Sequence, residues 1–186
     1  MTDDEPLGRE LTDSELVARG RSGDEAALGT LVRRHHEAVF RVARSITGDD
    51  DAAQDVAQDA FLKAFRALSG FREDASFRTW VLTITANEAR GVLRKRKRLR
   101  ESGLDDVGPV PSHDMSPADA AVISDEASRA RMLLDALPEK QRMSIALRID
   151  EGLSFREIGE VIGSSEGAAR VNYFHGIRRL RESMND

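Results

Sequence analysis

The sequence predicts an all-α protein of two small helical domains, an N-terminal helical bundle and a C-terminal helix-turn-helix, joined by a flexible acidic linker. Three observations carry that expectation. Aromatic residues make up 5% of the 186 residues and charged residues 33%, and the apolar residues are mainly Ala, Leu, Val and Ile. That mix suits helices with modest cores better than sheets. Apolar residues recur at helical spacing on both sides of the stretch Glu101–Glu126. The stretch itself holds Glu101, Asp105, Asp106, Asp114, Asp119, Asp125 and Glu126 with no Lys or Arg, together with Pro109, Pro111, Pro117, Gly103 and Gly108. Such a composition describes a poorly ordered tether. The expected division is a helical domain over 11–100, a linker over 101–127 and a helix-turn-helix domain over 128–186.

In the first domain a helix is expected from about Asp24 to Thr47, with Gly48 as its stop. Asp49, Asp50 and Asp51 offer caps and favourable charge to a second helix, which runs to about Leu68. Ala53, Val56, Ala57, Ala60, Ala64 and Ala67 would form its buried side. Leu62 falls on the other side, among Asp55, Gln58, Asp59 and Arg66. An exposed Leu is ordinary by itself; ringed by acids and an amide, it also fits the apolar centre of a docking patch. "SGFREDAS" makes a turn, and a third long helix starts near Ser76. On a helical wheel its apolar face is Val81, Leu82, Ala86, Ala89, Val92 and Leu93. Thr83, Asn87, Arg90 and Arg94 share the opposite stripe, with Trp80 at its border. The stripe reads either as a solvated face or as a surface whose amide, hydroxyl and guanidinium groups reach bases and phosphates. Trp80 fits a packing role.

In the second domain Pro138 suits a helix start. Phe155, Ile158, Gly159, Ile162 and Gly163 have helix-turn-helix spacing: Gly159 allows close helix approach and Gly163 makes the turn. The helix that follows would turn Ala169, Tyr173, Ile177 and Leu180 inward and gather Arg170, Phe174, Arg178 and Arg181 on another face.

Charge separates the possible functions. The formal net charge is −5, yet Arg90, Arg94, Lys95, Arg96, Lys97, Arg98 and Arg100 crowd one segment, and Arg170, Arg178, Arg179 and Arg181 another. One basic run is usually a solvated face; two on separate modules point to a polyanion bound at two places. With no Cys, disulfides, thiolate metal sites and thiol nucleophiles are excluded. His35 and His36 are adjacent and point to different helix faces, and neither an HExxH pattern nor a phosphate-binding Gly-rich loop occurs. No catalytic residue, metal or cofactor is therefore expected. The acidic N-terminus has no apolar core and no apolar run approaches spanning length, so a soluble cytoplasmic protein is expected. A repressor or activator using only the helix-turn-helix would leave residues 11–100 unexplained and lacks a heptad dimer seam. A scaffold that binds no DNA would leave the basic faces without a use.

Three segments, in order, resemble the extracytoplasmic-function (ECF) group of bacterial RNA polymerase sigma factors. "DAAQDVAQDAFLKAFRAL" and "FREDASFRTWVLTITANEARGVLRKRKR" resemble the family's region 2, and "LDALPEKQRMSIALRIDEGLSFREIGEVIGSSEGAAR" resembles its region 4. The resemblance implies a monomer that binds core RNA polymerase and promoter DNA, double-stranded at −35 and single-stranded at −10, with an anti-sigma factor as a further partner to look for. It places Asp55, Gln58, Asp59 and Leu62 where the family docks on the clamp helices of the largest polymerase subunit. The loop from Phe71 to Ser76 falls where a flipped −10 base is captured, and Asn87 where an unstacked base is read, with Trp80, Thr83, Arg90, Arg94 and Lys97 around it. Ser165, Glu166, Gly167, Arg170, Val171, Phe174, His175 and Arg178 fall on the surface facing the −35 major groove. This chain departs from the family there: Val171, Asn172 and His175 replace small polar and basic residues, and Ala168-Ala169 replaces the usual Thr-Val. An altered −35 sequence is the expectation that follows.

Overall fold

A computed structural model of the chain describes residues 10–102, 129 and 132–185. Most of the expected 101–127 tether lies outside them. All regular structure among the described residues is helical.

Helix α1 spans Asp13–Arg21 and has no counterpart in the expectations above. It starts with a capping box: Glu15 N donates to the Thr12 hydroxyl at 3.3 Å and Thr12 N donates to the Glu15 carboxylate at 2.8 Å. Helix α2 spans Glu25–Thr47, capped by Asp24 and ended by Gly48 in the left-handed region at φ 70°. Helix α3 spans Asp50–Arg66, and its Asp49 cap accepts from Ala52 N at 2.7 Å. The chain then tightens into a 3₁₀ turn at Leu68–Gly70. That tightening exposes Ala67, which the wheel had placed inside, and buries Leu68 in its stead. Helix α4 spans Phe77–Glu101, with the Ser76 hydroxyl accepting from Thr79 N at 3.0 Å.

These helices pack α1 on α2 and α2, α3 and α4 on one another. The alanine side of α3 (Ala53, Ala57, Ala60, Ala64) is almost wholly buried. Its small side chains bring the larger Leu31, Val39, Val81 and Leu82 of the flanking helices into one dry core.

Helix α5 spans Glu139–Ile149 with Pro138 at its N-cap. Helix α6 spans Phe155–Ile162 behind a Ser154–Glu157 capping box, and α7 spans Glu166–Asn185. The turn between α6 and α7 depends on two glycines. Gly163 sits at φ 67°. A Cβ on Gly159 would stand 2.8 Å from the Ser164 carbonyl oxygen. The expected helix-turn-helix is therefore present, and Ala169 is buried beneath it.

The two helical groups do not stand apart. Helix α4 lies against α6, and α2 against α5. Their buried apolar residues form a single cluster running from Leu16 to Ala169.

Candidate nucleic-acid interface

Three surfaces carry the residues singled out in the sequence. The first is the outer face of α3. Leu62 is 46% exposed, and Asp55, Gln58 and Asp59 are exposed beside it. The opposite side of the same helix is the alanine seam, so the patch is held on a rigid element. Lys63, next to Leu62, ties the helix to α4 through an ion pair with Glu88.

The second surface joins the turn after α3 to α4. Phe71 is buried, stacked on Trp80 with centroids 4.6 Å apart and edge-on to Phe77 at 6.2 Å. Trp80 packs against Phe71 and Phe77, the latter at 5.9 Å between centroids, and stays half-buried. Arg21, from the unforeseen α1, clamps the turn. Its Nε donates to the Leu68 carbonyl at 3.2 Å, a terminal nitrogen donates to the Phe71 carbonyl, and Nη1 meets Glu73 at 3.2 Å. Glu73 holds φ 59°, a strained value for a residue with a side chain. Ser76 spends its hydroxyl on capping α4.

Along α4 the sequence stripe divides. Thr83 is half-buried and donates to the Thr79 carbonyl at 2.9 Å. Asn87 and Arg94 are exposed, and Lys97 is exposed with only a loose 3.8 Å approach to Glu101. Arg90 departs from the free stripe. Its side chain is 20% exposed, pairs with Glu139 at 2.9 Å and donates to the Ile162 carbonyl at 3.3 Å. Wheel geometry placed it correctly on α4, but the wheel contains no information about α5 and α6.

A cleft of about 440 Å³ opens between the Phe71–Ser76 turn and the start of α6, walled by Glu73, Asp74, Glu157 and Glu160 among others. Burial works to raise the Glu157 carboxyl's pKa. Hydrogen bonds from the side chain and backbone of Ser154 and from Thr79 outweigh it, and the group sits below the usual glutamate value.

The third surface is the exposed face of α7. Ser165 caps the helix by accepting from Ala168 N at 3.2 Å, and Glu166 and Gly167 are exposed in its first turn. Arg170 is held from two sides: it donates to Glu166 at 2.9 Å and lies over the Phe155 ring at 5.2 Å. Val171 and Phe174 are 54% and 58% exposed, and His175 and Arg178 are exposed beyond them. Arg178 approaches Glu182 at 3.9 Å.

The histidines of α2 have local explanations. His35 is buried, within 2.6 Å of an Asp13 oxygen and 5.5 Å from the Phe77 ring centroid, and His36 lies parallel to Phe40. Among the described residues no helix is long and apolar enough to cross a membrane, and no group of three or more His, Cys, Asp or Glu could hold a metal ion.

Two family models match, Sigma-70 region 2 over residues 31–99 and Sigma-70 region 4 over residues 133–182. The chain is 32% identical to the ECF RNA polymerase sigma factor SigE of Mycolicibacterium smegmatis over 97% of its own length and 69% of that protein's. It is also 32% identical to the ECF RNA polymerase sigma-E factor of Escherichia coli, over 97% of its length and 96% of the relative's. Its fold resembles CnrH in a complex with the cytosolic domain of CnrY, with a TM-score of 0.70 and 28% identity, covering 93% of this chain and 97% of that one. Matches of this extent, laid on a region 2 bundle and a region 4 helix-turn-helix in the right order, place the chain in the ECF group of bacterial RNA polymerase sigma factors.

Proposed function

We propose that this sigma factor docks on the clamp helices of the largest polymerase subunit through α3, reads the −10 element with α4 and its preceding turn, and reads the −35 element with α7. The functional units would be residues 11–100 and 128–186, with 101–127 as the tether between them. The observation that carries the docking assignment is Leu62, half-exposed at the centre of Asp55, Gln58 and Asp59 on a helix whose other face is sealed. An apolar centre ringed by polar groups gives a contact both affinity and register. Asn87 supplies an amide that satisfies one base edge, while Arg94 and Lys97 supply sequence-blind charge for phosphates. In opening DNA the factor would trap bases that have left the stack, against a turn already fixed by Arg21. The factor acts as a monomer. The likeness to CnrH, bound by the cytosolic domain of CnrY, together with the family resemblance, supports an anti-sigma factor as a further partner.

The test is quantitative binding to core polymerase. Leu62→Asp forces a charge into the contact centre and should weaken binding by about 2 kcal/mol or more, with helix content unchanged because Leu62 is outside the core. Unaltered core affinity would overturn the docking assignment.

A further inference from the structure

Helix α1 carries none of the residues assigned to DNA or polymerase, yet its last turn reaches the backbone beside one of those surfaces. Its own seat in the bundle is firm. Asp13 accepts from Arg34 Nη1 of α2 at 3.0 Å and lies 2.6 Å from His35 Nε2. Leu16 and Val17 are buried. A Cβ on Gly20 would stand 2.5 Å from Leu28 Cδ2 and 3.2 Å from Leu68 Cδ2, so α1 runs close to both α2 and the 3₁₀ turn. Arg21 follows directly. Its one guanidinium serves two backbone carbonyls, Leu68 through Nε at 3.2 Å and Phe71 through Nη2, and its Nη1 pairs with Glu73 at 3.2 Å. The Leu68 carbonyl also accepts from Phe71 N at 3.2 Å, the bond that closes the turn. The other end of the segment is fixed from α4, where Ser76 caps the helix and Phe77 and Trp80 pack on the Phe71 ring. Arg21 thus holds the near end of the Phe71–Ser76 segment from outside it.

We propose that Arg21 is a positioning residue for −10 recognition: its fork sets the Leu68–Glu73 backbone in the conformation that receives the captured base, without touching the base. The proposal deepens, and rests on, the reading of this turn as the place of capture. A planar guanidinium with three acceptors fixes direction as well as distance, which a rotating ammonium does not. An unstacked base gains from its pocket what remains after the pocket has been ordered. A turn ordered in advance from α1 leaves more of that gain. Glu73 sits at φ 59°, a conformation that persists in a residue with a side chain where its surroundings impose it. Arg21 imposes it through the Phe71 carbonyl two residues earlier and through the Glu73 carboxylate itself. The same ion pair also removes a bare carboxylate from a surface meant for a polyanion. That second effect is sequence-blind, and the experiment separates it from positioning.

Holoenzyme reconstituted from purified core polymerase and the full chain provides the test. It is titrated with a single-stranded −10 oligonucleotide selected from a randomised pool, then with versions abasic at each position in turn. The parent should lose about tenfold in affinity at the captured base, a position distinct from the one whose penalty Asn87→Ala removes. Arg21→Met keeps the aliphatic stem and loses every donor. It should bind the intact strand about tenfold more weakly than the parent, and should bind the strand abasic at the captured position as the parent does. Its penalty at the Asn87 position should remain. Arg21→Lys keeps the charge without the fork and should recover part of the lost penalty; it also decides the matter if Arg21→Met does not fold. A captured-base penalty as large as the parent's in either variant overturns the positioning role. Equal weakening on intact and abasic strands overturns it too, since it leaves Arg21 the neutralisation of Glu73 alone. A parent holoenzyme with no penalised position besides that of Asn87 overturns the capture reading itself and this proposal with it; the other results leave that reading standing.

Discussion

Asn87 and Lys97 share one face of α4 and should fail differently. On the proposed reading, Asn87→Ala removes the amide that distinguishes bases, so it should relax preference at one −10 position and cost about 1–3 kcal/mol for the favoured base. Lys97→Ala should weaken all promoters alike and flatten the salt dependence by about one unit. Transcription from a −10 library with each variant separates the two; an intact −10 preference in Asn87→Ala would make the stripe structural only. On α7, Arg170 is pre-positioned by Glu166 and by the Phe155 ring, and it is the side chain there able to grip guanine with two bonds. Val171 and Phe174 add apolar surface suited to a thymine methyl. If Arg170→Ala and the parent chain select the same −35 sequence from a randomised pool, differing only in yield, direct readout by Arg170 is wrong. The exposure of Leu62 and Asn87 was legible, because each falls on the outer side of an amphipathic helix. The contacts of Arg21 with Leu68 and of Glu151 with Arg41 were not: each joins residues about fifty to over a hundred positions apart in sequence, and nothing local marks it.

At the scale of elements, caps and periodicity determined most of the outcome. Asp24, Gly48, Asp49 and Ser76 begin or end the helices that the sequence placed there. The missed α1 carries the same kind of signal, Thr12 with Glu15 three residues on, but only Leu16 and Val17 are buried along it, too short a pattern for periodicity to register. Ala67 was misplaced because a wheel assumes the helix continues, and here the backbone tightens after Arg66. Two predictions belong to α6. Gly159→Ala gains helix propensity but drives a Cβ into the Ser164 carbonyl, so the domain should lose about 1–2 kcal/mol net in thermal unfolding. The Glu157 carboxyl is lowered against the opposing effect of burial by its bonds to Ser154 and Thr79. Its contribution is therefore complete above the ordinary glutamate range and lost as pH falls through the lowered folded value. The stability gap between the parent chain and Glu157→Gln should narrow on acidification; a gap that stays constant with pH would exclude the carboxylate as its source.

On the scale of the whole molecule, the opening charge pattern acquires a spatial meaning. The chain is a promoter-recognition factor whose two runs of basic residues lie on α4 and α7, and whose carboxylates partly cover α4 in the packed arrangement. Composition and spacing made two helical domains and two basic faces legible, because both follow from local sequence. The packing of α4 on α6 was not legible, since it depends on side chains brought together from distant parts of the chain. The sequence expectation of a tether falls on 101–127, most of it outside the described residues. The most direct test of the central claim is transcription by purified core polymerase from a genomic fragment library, with and without this chain. The account predicts new transcripts only when the chain is added, each preceded by a shared pair of motifs about two helical turns apart. An absence of chain-dependent transcripts, or starts that share no such pair, would contradict it.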